Sequence, residues 1–179
     1  MDRARGFTLL ELLGTVALGG LLLGLAVPSF HGWILDGRRT ADVNGFVLAV
    51  QVARSEAAKS SHSVILCKTA DRRRCGGAEL RFDAGWMVFV NADDRLPPAR
   101  SDAEPLVLAY EPVIEGRITA NRPLFEFRPM LRRSTNGTVV FCDARGASAA
   151  RAVIVSYTGR PRVDRVDADG KPLRCADLS

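Results

Sequence analysis

Arg5-Gly6-Phe7-Thr8-Leu9-Leu10-Glu11-Leu12 is the stretch on which the architecture turns. One carboxylate, Glu11, stands at the head of an apolar run, and the 24 residues from Leu12 to Leu35 contain no Asp, Glu, Lys or Arg. As a helix they reach about 36 Å, more than the roughly 30 Å hydrocarbon core of a bilayer. A charge held at mid-membrane costs about 2.5–3.5 kcal/mol on insertion scales, so an acid here calls for a partner. Ordinary secretory signals run in the order cations, apolar core, small-residue cleavage site. In this chain the small residue, Gly6, precedes the core and directly follows Arg3 and Arg5, which argues against such a signal. Cations ahead of the span keep the N-terminus in the cytoplasm and place the C-terminal domain outside the inner membrane.

Working outward, Pro28 removes a backbone donor inside the apolar segment and is expected to kink it. Beyond Asp36-Gly37 the helix should continue as an amphipathic one. Val43, Phe46, Val47, Val50, Ala53 and Ala57 recur at i, i+3, i+4, i+7 spacing, and Arg39, Asp42, Gln51, Arg54 and Lys59 occupy the other face. We expect it to stop near Ser60-Ser61. Short segments rich in Val, Ile and Phe then read as strands: 63–68, 85–91, 106–110, 124–128, 138–142 and 152–157. Asn136-Gly137 is a hairpin signal, and the segment from Asp93 to Glu104, with Pro97-Pro98, reads as a loop. The pattern gives an α+β fold, a long N-terminal helix (transmembrane half plus amphipathic half) packed on an antiparallel sheet.

Charge is uneven along the 179 residues, whose formal net charge is +5. Residues 36–116 carry 11 basic and 12 acidic side chains, whereas residues 117–179 carry 12 basic and 6 acidic. The cations are mostly Arg, 22 against three Lys, and a planar guanidinium suits bidentate phosphate contacts. The four cysteines fit an exported domain in an oxidising compartment. Seven residues lie between Cys67 and Cys75 and 32 between Cys142 and Cys175, and we expect those two bridges, although three pairings are open. Each would contribute about 2–4 kcal/mol. A four-cysteine zinc site lacks its C-x2–4-C spacing, and a domain of this size needs no metal to hold a core.

The opening octet resembles type IV prepilins and type II secretion pseudopilins, whose leader ends in Gly before Phe-Thr-Leu-Leu-Glu. The resemblance implies cleavage after Gly6 by a prepilin peptidase and N-methylation of Phe7. It makes Glu11 the fifth residue of the mature chain, where it pairs with the terminal amine of a neighbouring subunit. Leader removal takes the net charge to +4. The implied domains are a leader (1–6), a transmembrane and filament-core helix (7–35) and a periplasmic head (36–179), with other pilins or pseudopilins, the peptidase and the inner membrane as partners. Later blocks resemble the GspH/FimT subgroup, which includes the type II secretion pseudopilin H and the minor type IV pilins FimU and FimT. These blocks are Ala53–Ala57, Val64–Cys67, Gly85–Val90, Gly137–Cys142 and Val153–Ser156 leading into Thr158–Arg162. A closing bridge from Cys175 to a strand cysteine matches minor pilins better than major ones.

Gly159-Arg160-Pro161-Arg162 resembles a G-R-x-R motif of FimT proteins that bind DNA in natural transformation, which implies double-stranded DNA as a further partner. Pro161 favours extended backbone at Arg160, and residues two apart on an extended segment project to one side. Arg160 and Arg162 would then meet phosphates about 6.5 Å apart, with Arg165, Lys171 and Arg174 adding charge and Asp164, Asp167 and Asp169 diluting it. Such binding is sequence-independent and salt-sensitive. Arg72-Arg73-Arg74 forms a second basic run, read as solvated. Catalysis is not indicated. His31 and His62 belong to no nucleophile or metal pattern, Asp93-Asp94 lacks EF-hand spacing, and no motif calls for a cofactor.

Overall fold

One helix, α1 (Leu9–Ser60), ends where the amphipathic pattern runs out. The computed structural model describes residues 8–93, 100, 101, 103–129 and 133–175, leaving aside the side chains of 23 and 25–29. The helix runs unbroken through Pro28, whose side chain, and any kink it imposes, lies outside that description. The chain divides into two compact units, Met1–Gly37 and Arg38–Ser179.

In the second unit eight strands follow: β1 (Ser63–Lys68), β2 (Trp86–Asn91), β3 (Leu106–Tyr110), β4 (Gly116–Ala120), β5 (Leu124–Phe127), β6 (Gly137–Asp143), β7 (Arg151–Val155) and β8 (Pro161–Asp164). All pairings are antiparallel. The strands form two four-stranded sheets, β3-β2-β1-β5 and β4-β6-β7-β8, rather than the single sheet expected. Asn136-Gly137 is therefore no hairpin turn, because β5 and β6 belong to different sheets. Its glycine answers a close approach instead: a Cβ on Gly137 would lie 2.8 Å from both the Arg122 stem and the Asn121 side chain.

Both sheets contribute to one core under α1. Val43, Phe46, Ala49, Val50, Ala53 and Ala57 of the helix meet Val64 and Leu66 of β1, Trp86 and Val88 of β2, Ile118 of β4, Phe125 of β5, Phe141 of β6 and Val153 of β7. Phe46 is fully buried, with edge-to-face contacts to Phe82, Trp86, Phe125 and Phe141 at 5.5–6.0 Å. Such pairs add to area burial because ring edges meet ring faces.

Strands β1 and β2 are buried along their whole length, since each has a second apolar face. Ile65, Cys67, Met87 and Phe89 form a small outer cluster with Cys75. Cys142, Ala150, Ala152, Ile154 and Leu173 form another with Cys175. Each outer cluster carries one of the two disulfides, Cys67–Cys75 and Cys142–Cys175.

Two residues on the polar side of the helix are buried. Asp42 is 0% exposed and accepts hydrogen bonds from the Val113 and Ile114 backbone N–H groups at 2.9 and 2.7 Å and from the Tyr110 hydroxyl at 3.1 Å. Arg39, 6% exposed, donates to the Ala149 carbonyl and lies 3.6 Å from Asp143. Periodicity marks which residues are polar, but a helix wedged between sheets and loops finds partners on that side too.

Candidate assembly segment and basic sites

At the chain start, Gly6 and Phe7 lie outside the described residues. From Thr8 the local chemistry is that of a helix N-terminus. The Thr8 hydroxyl accepts the Glu11 N–H at 3.3 Å, and the Thr8 carbonyl accepts the Leu12 N–H at 3.1 Å. Thr-x-x-Glu is the capping-box spacing, and an acid in the first turn suits the positive end of the helix dipole. Glu11 is exposed, as are Leu9, Leu10, Leu12 and Leu13 around it. Among the described residues no helix is long and apolar enough to cross a membrane. The uncharged run 12–35 contains the six positions whose side chains fall outside that description.

The motif Gly159–Arg162 sits in the turn between β7 and β8. Ser156 accepts the Gly159 N–H at 2.8 Å through its carbonyl, and its own N–H donates to the Arg160 carbonyl at 3.0 Å. Gly159 has φ +70, a left-handed conformation that favours glycine, and a Cβ there would lie 2.9 Å from Cδ of Arg54 and 3.1 Å from the Phe127 ring. Pro161 starts the edge strand, where a missing donor is tolerated.

The two arginines of the motif do not share surroundings. Arg162 pairs across the sheet with Ile154, whose side chain belongs to the outer cluster, and opposed residues share a face. There its guanidinium lies 3.9 Å from Asp164. Arg160 instead lines a cavity of about 580 Å3 with Arg54, Ala57 and Ala58 of α1, Phe127 and Arg128 at the end of β5, Arg133, Ser134, Tyr157 and Thr158. Arg160 stands just ahead of β8, opposite Ser156, and the two arginines have different neighbours.

Lys171 and Arg174 line a different cleft of about 800 Å3, along with Asp167, Asp169, Thr119, Asn121 and Thr138. Asp167 organises that tail: its carboxylate accepts the Asp169 and Lys171 N–H groups at 2.9 and 2.8 Å. Arg165 is exposed, and its N–H donates to the Asp164 carboxylate. Leu173 and the Cys142–Cys175 bridge pin the tail to the second sheet. The five cations of the tail are thus divided over separate surfaces, and acids accompany all but Arg160. Arg54 and Arg133, which share its cavity, are not legible as partners in the sequence, since one reads as an ordinary solvated helix position and the other belongs to no strand or motif read there.

The basic run Arg72–Arg74 is tied into a turn. Arg72 pairs with Glu111, and the Asp71 carboxylate accepts the Arg73 and Arg74 N–H groups at 2.8 and 2.9 Å. Those backbone donors hold the Asp71 carboxyl below its ordinary value. His31 and His62 are both exposed, and so is Asp93, while Asp94 lies outside the described residues. Among the described residues no group of three or more His, Cys, Asp or Glu side chains is placed to hold a metal ion.

Known proteins resemble this chain in the same two parts, the N-terminal segment and the head. A search of curated proteins finds no match. Two crystal structures of the type IV minor pilin FimU of Pseudomonas aeruginosa share the fold, with TM-scores of 0.55 and 0.54 at 15% and 16% identity. Both matches cover 76% of this chain, and they cover 99% and 94% of the respective FimU chains. The family model of the prokaryotic N-terminal methylation motif matches residues 1–27. That of the type II transport protein GspH matches residues 42–159, about two thirds of the chain, so the chain belongs to the GspH family of pilin-like proteins.

Proposed function

We propose that the chain is a minor pilin or pseudopilin that assembles into a type IV pilus or a type II secretion pseudopilus. In this reading prepilin peptidase cuts after Gly6, Phe7 is N-methylated, and residues 7–35 span the inner membrane once before assembly. The head, residues 36–179, then faces the periplasm. The mechanism is packing rather than chemistry. Apolar helices leave the bilayer to bundle with their like, and Glu11 sets subunit register by pairing with a neighbour's terminal amine, a use to which buried polar groups are well suited. The observation that carries this reading is the methylation motif at residues 1–27 ahead of a GspH match in one chain. Mass spectrometry of protein recovered from cells tests it: the expected terminus is methylated Phe7. A terminus at Met1, or beyond Pro28, refutes it.

A second reading is a DNA-binding minor pilin for natural transformation. It is favoured by Arg160, which has no carboxylate partner among the described residues. Phosphate contacts give affinity through released counterions, so the test is a gel shift of the full chain in detergent with duplex DNA at about 50 mM salt. Binding abolished by Arg160→Ala with Arg162→Ala is expected; no shift at that salt, or one untouched by the substitutions, rejects it. In a deletion strain, transformation frequency compared with twitching motility and exoprotein secretion assigns the machine.

A further inference from the structure

The cavity beside Arg160 gathers positive charge with little to offset it. Arg54 comes from α1, Arg128 from the end of β5, Arg133 from the segment entering β6 and Arg160 from the β7–β8 turn. Glu126 holds Arg128 at 2.8 Å. Arg54, Arg133 and Arg160 have no ion-pair partner among the described residues. Three arginines lining one hollow repel one another, and packing fixes the backbone around them. The Arg54 stem leaves no room for a Cβ at Gly159, and the Ser134 N–H donates to the Tyr157 carbonyl at 2.9 Å, fixing the backbone next to Arg133. An anion in the hollow relieves that repulsion.

The lining narrows the choice of anion. At about 580 Å3 the hollow is ligand-sized, far larger than a bare phosphate. Its floor is apolar, formed by the buried Ala57 and Phe127. On its rim the Tyr157 ring is 54% exposed, with the Arg133 guanidinium 5.3 Å from its centroid. Guanidinium forks match phosphate oxygens bidentately, and aromatic faces stack on bases. A phosphate carrying a sugar and a base uses all three features.

We propose that this cavity binds the phosphate of a nucleotide, free or within a nucleic-acid strand, with Arg54, Arg133 and Arg160 as its donors. For a nucleotide within a strand this rests on the DNA-binding reading above; for a free nucleotide it does not. Arg162, opposite Ile154 and beside Asp164, is not among the residues lining the cavity.

The test uses the full-length chain in nonionic detergent, with inorganic phosphate, adenosine monophosphate and a fluorescein-labelled 12-nucleotide single strand and its duplex as probes. The nucleotide should bind more tightly than phosphate. Arg54→Gln, Arg133→Gln and Arg160→Gln should each weaken it by about tenfold or more, the loss of a charge-assisted hydrogen bond, whereas Arg162→Gln should not. Because the Arg54 stem packs on Gly159, Arg54→Lys and the exposed Arg133→Gln give the answer if Arg54→Gln does not fold. Nucleotide binding through these arginines without strand binding keeps the cavity and rejects the DNA reading. Strand binding that needs Arg160 and Arg162 but ignores Arg54 and Arg133 keeps the DNA reading and overturns the cavity. Phosphate binding as tight as the nucleotide's, or no binding of any probe, overturns it as well.

Discussion

Replacing Asp42 by Ala should be among the most damaging single changes to the head. The carboxylate is fully buried, and it satisfies three donors, one at the end of β3 and two on the segment joining β3 to β4: the Tyr110 hydroxyl and the Val113 and Ile114 N–H groups. Each buried donor left unpaired costs about 1–3 kcal/mol. The Tyr110 hydroxyl is only partly buried and can turn to water, and removing the carboxylate recovers some of its own desolvation. The net expectation is about 3–5 kcal/mol, or a Tm lower by roughly 6–20 °C for a chain of this length. Asp42→Asn keeps one acceptor oxygen and should lose about half as much. Urea unfolding of the full chain in detergent, followed by fluorescence of Trp86, reads the change directly, because that ring is buried and stacked 4.5 Å from Tyr110. A loss for Asp42→Ala below about 1 kcal/mol, or an Asn variant as weak as the Ala one, would refute the reasoning.

Opening the Cys142–Cys175 bridge with a pair of serines should cost about 3–4 kcal/mol, given its 33-residue separation, and free the tail backbone for tryptic cleavage after Arg165 and Arg174; an unchanged digestion pattern contradicts the pinned tail. Asp143 is held below the ordinary carboxyl value first by the Arg145 hydrogen bond, with Arg39 adding charge. A depressed folded value means stability present above about pH 4 and lost as pH falls through it, so Asp143→Asn should flatten the acid limb of a stability-versus-pH curve. Gly159→Ala forces φ +70 on a residue with a side chain and drives its Cβ against Arg54, so it should destabilise by about 1–3 kcal/mol; a neutral melt would mean that the turn relaxes freely.

The extent to which this fold can be read from its sequence depends on burial. The β1 strand stands out because Ser-Val-Ile-Leu-Cys-Lys is apolar on both faces, one meeting the helix and the other a disulfide cluster. The helix end at Ser60 and β3 match their periodic patterns. Strands β4 and β8 carry no such signal: Gly-Arg-Ile-Thr-Ala and Pro-Arg-Val-Asp are edge strands, largely unburied, and take their form from a buried neighbour rather than from their own residues. The division into two sheets is invisible for a related reason. Alternation tells which face is apolar and not which strand lies alongside. At the basic site, Gly159-Arg160-Pro161-Arg162 is legible as a motif, but its glycine is explained by Arg54, 105 positions earlier, and no local pattern links the two.

Edge strand β8 carries a consequence for how copies of this chain meet. Four residues long, it opens with a proline and bears Arg162 and Asp164, so a neighbouring molecule finds a poor template for adding strands to the open side of the sheet. Proteins crowded side by side risk sealing their sheets into one aggregate. Here the ribbon's margin is blunted, and contact between heads is steered towards side chains instead of backbone.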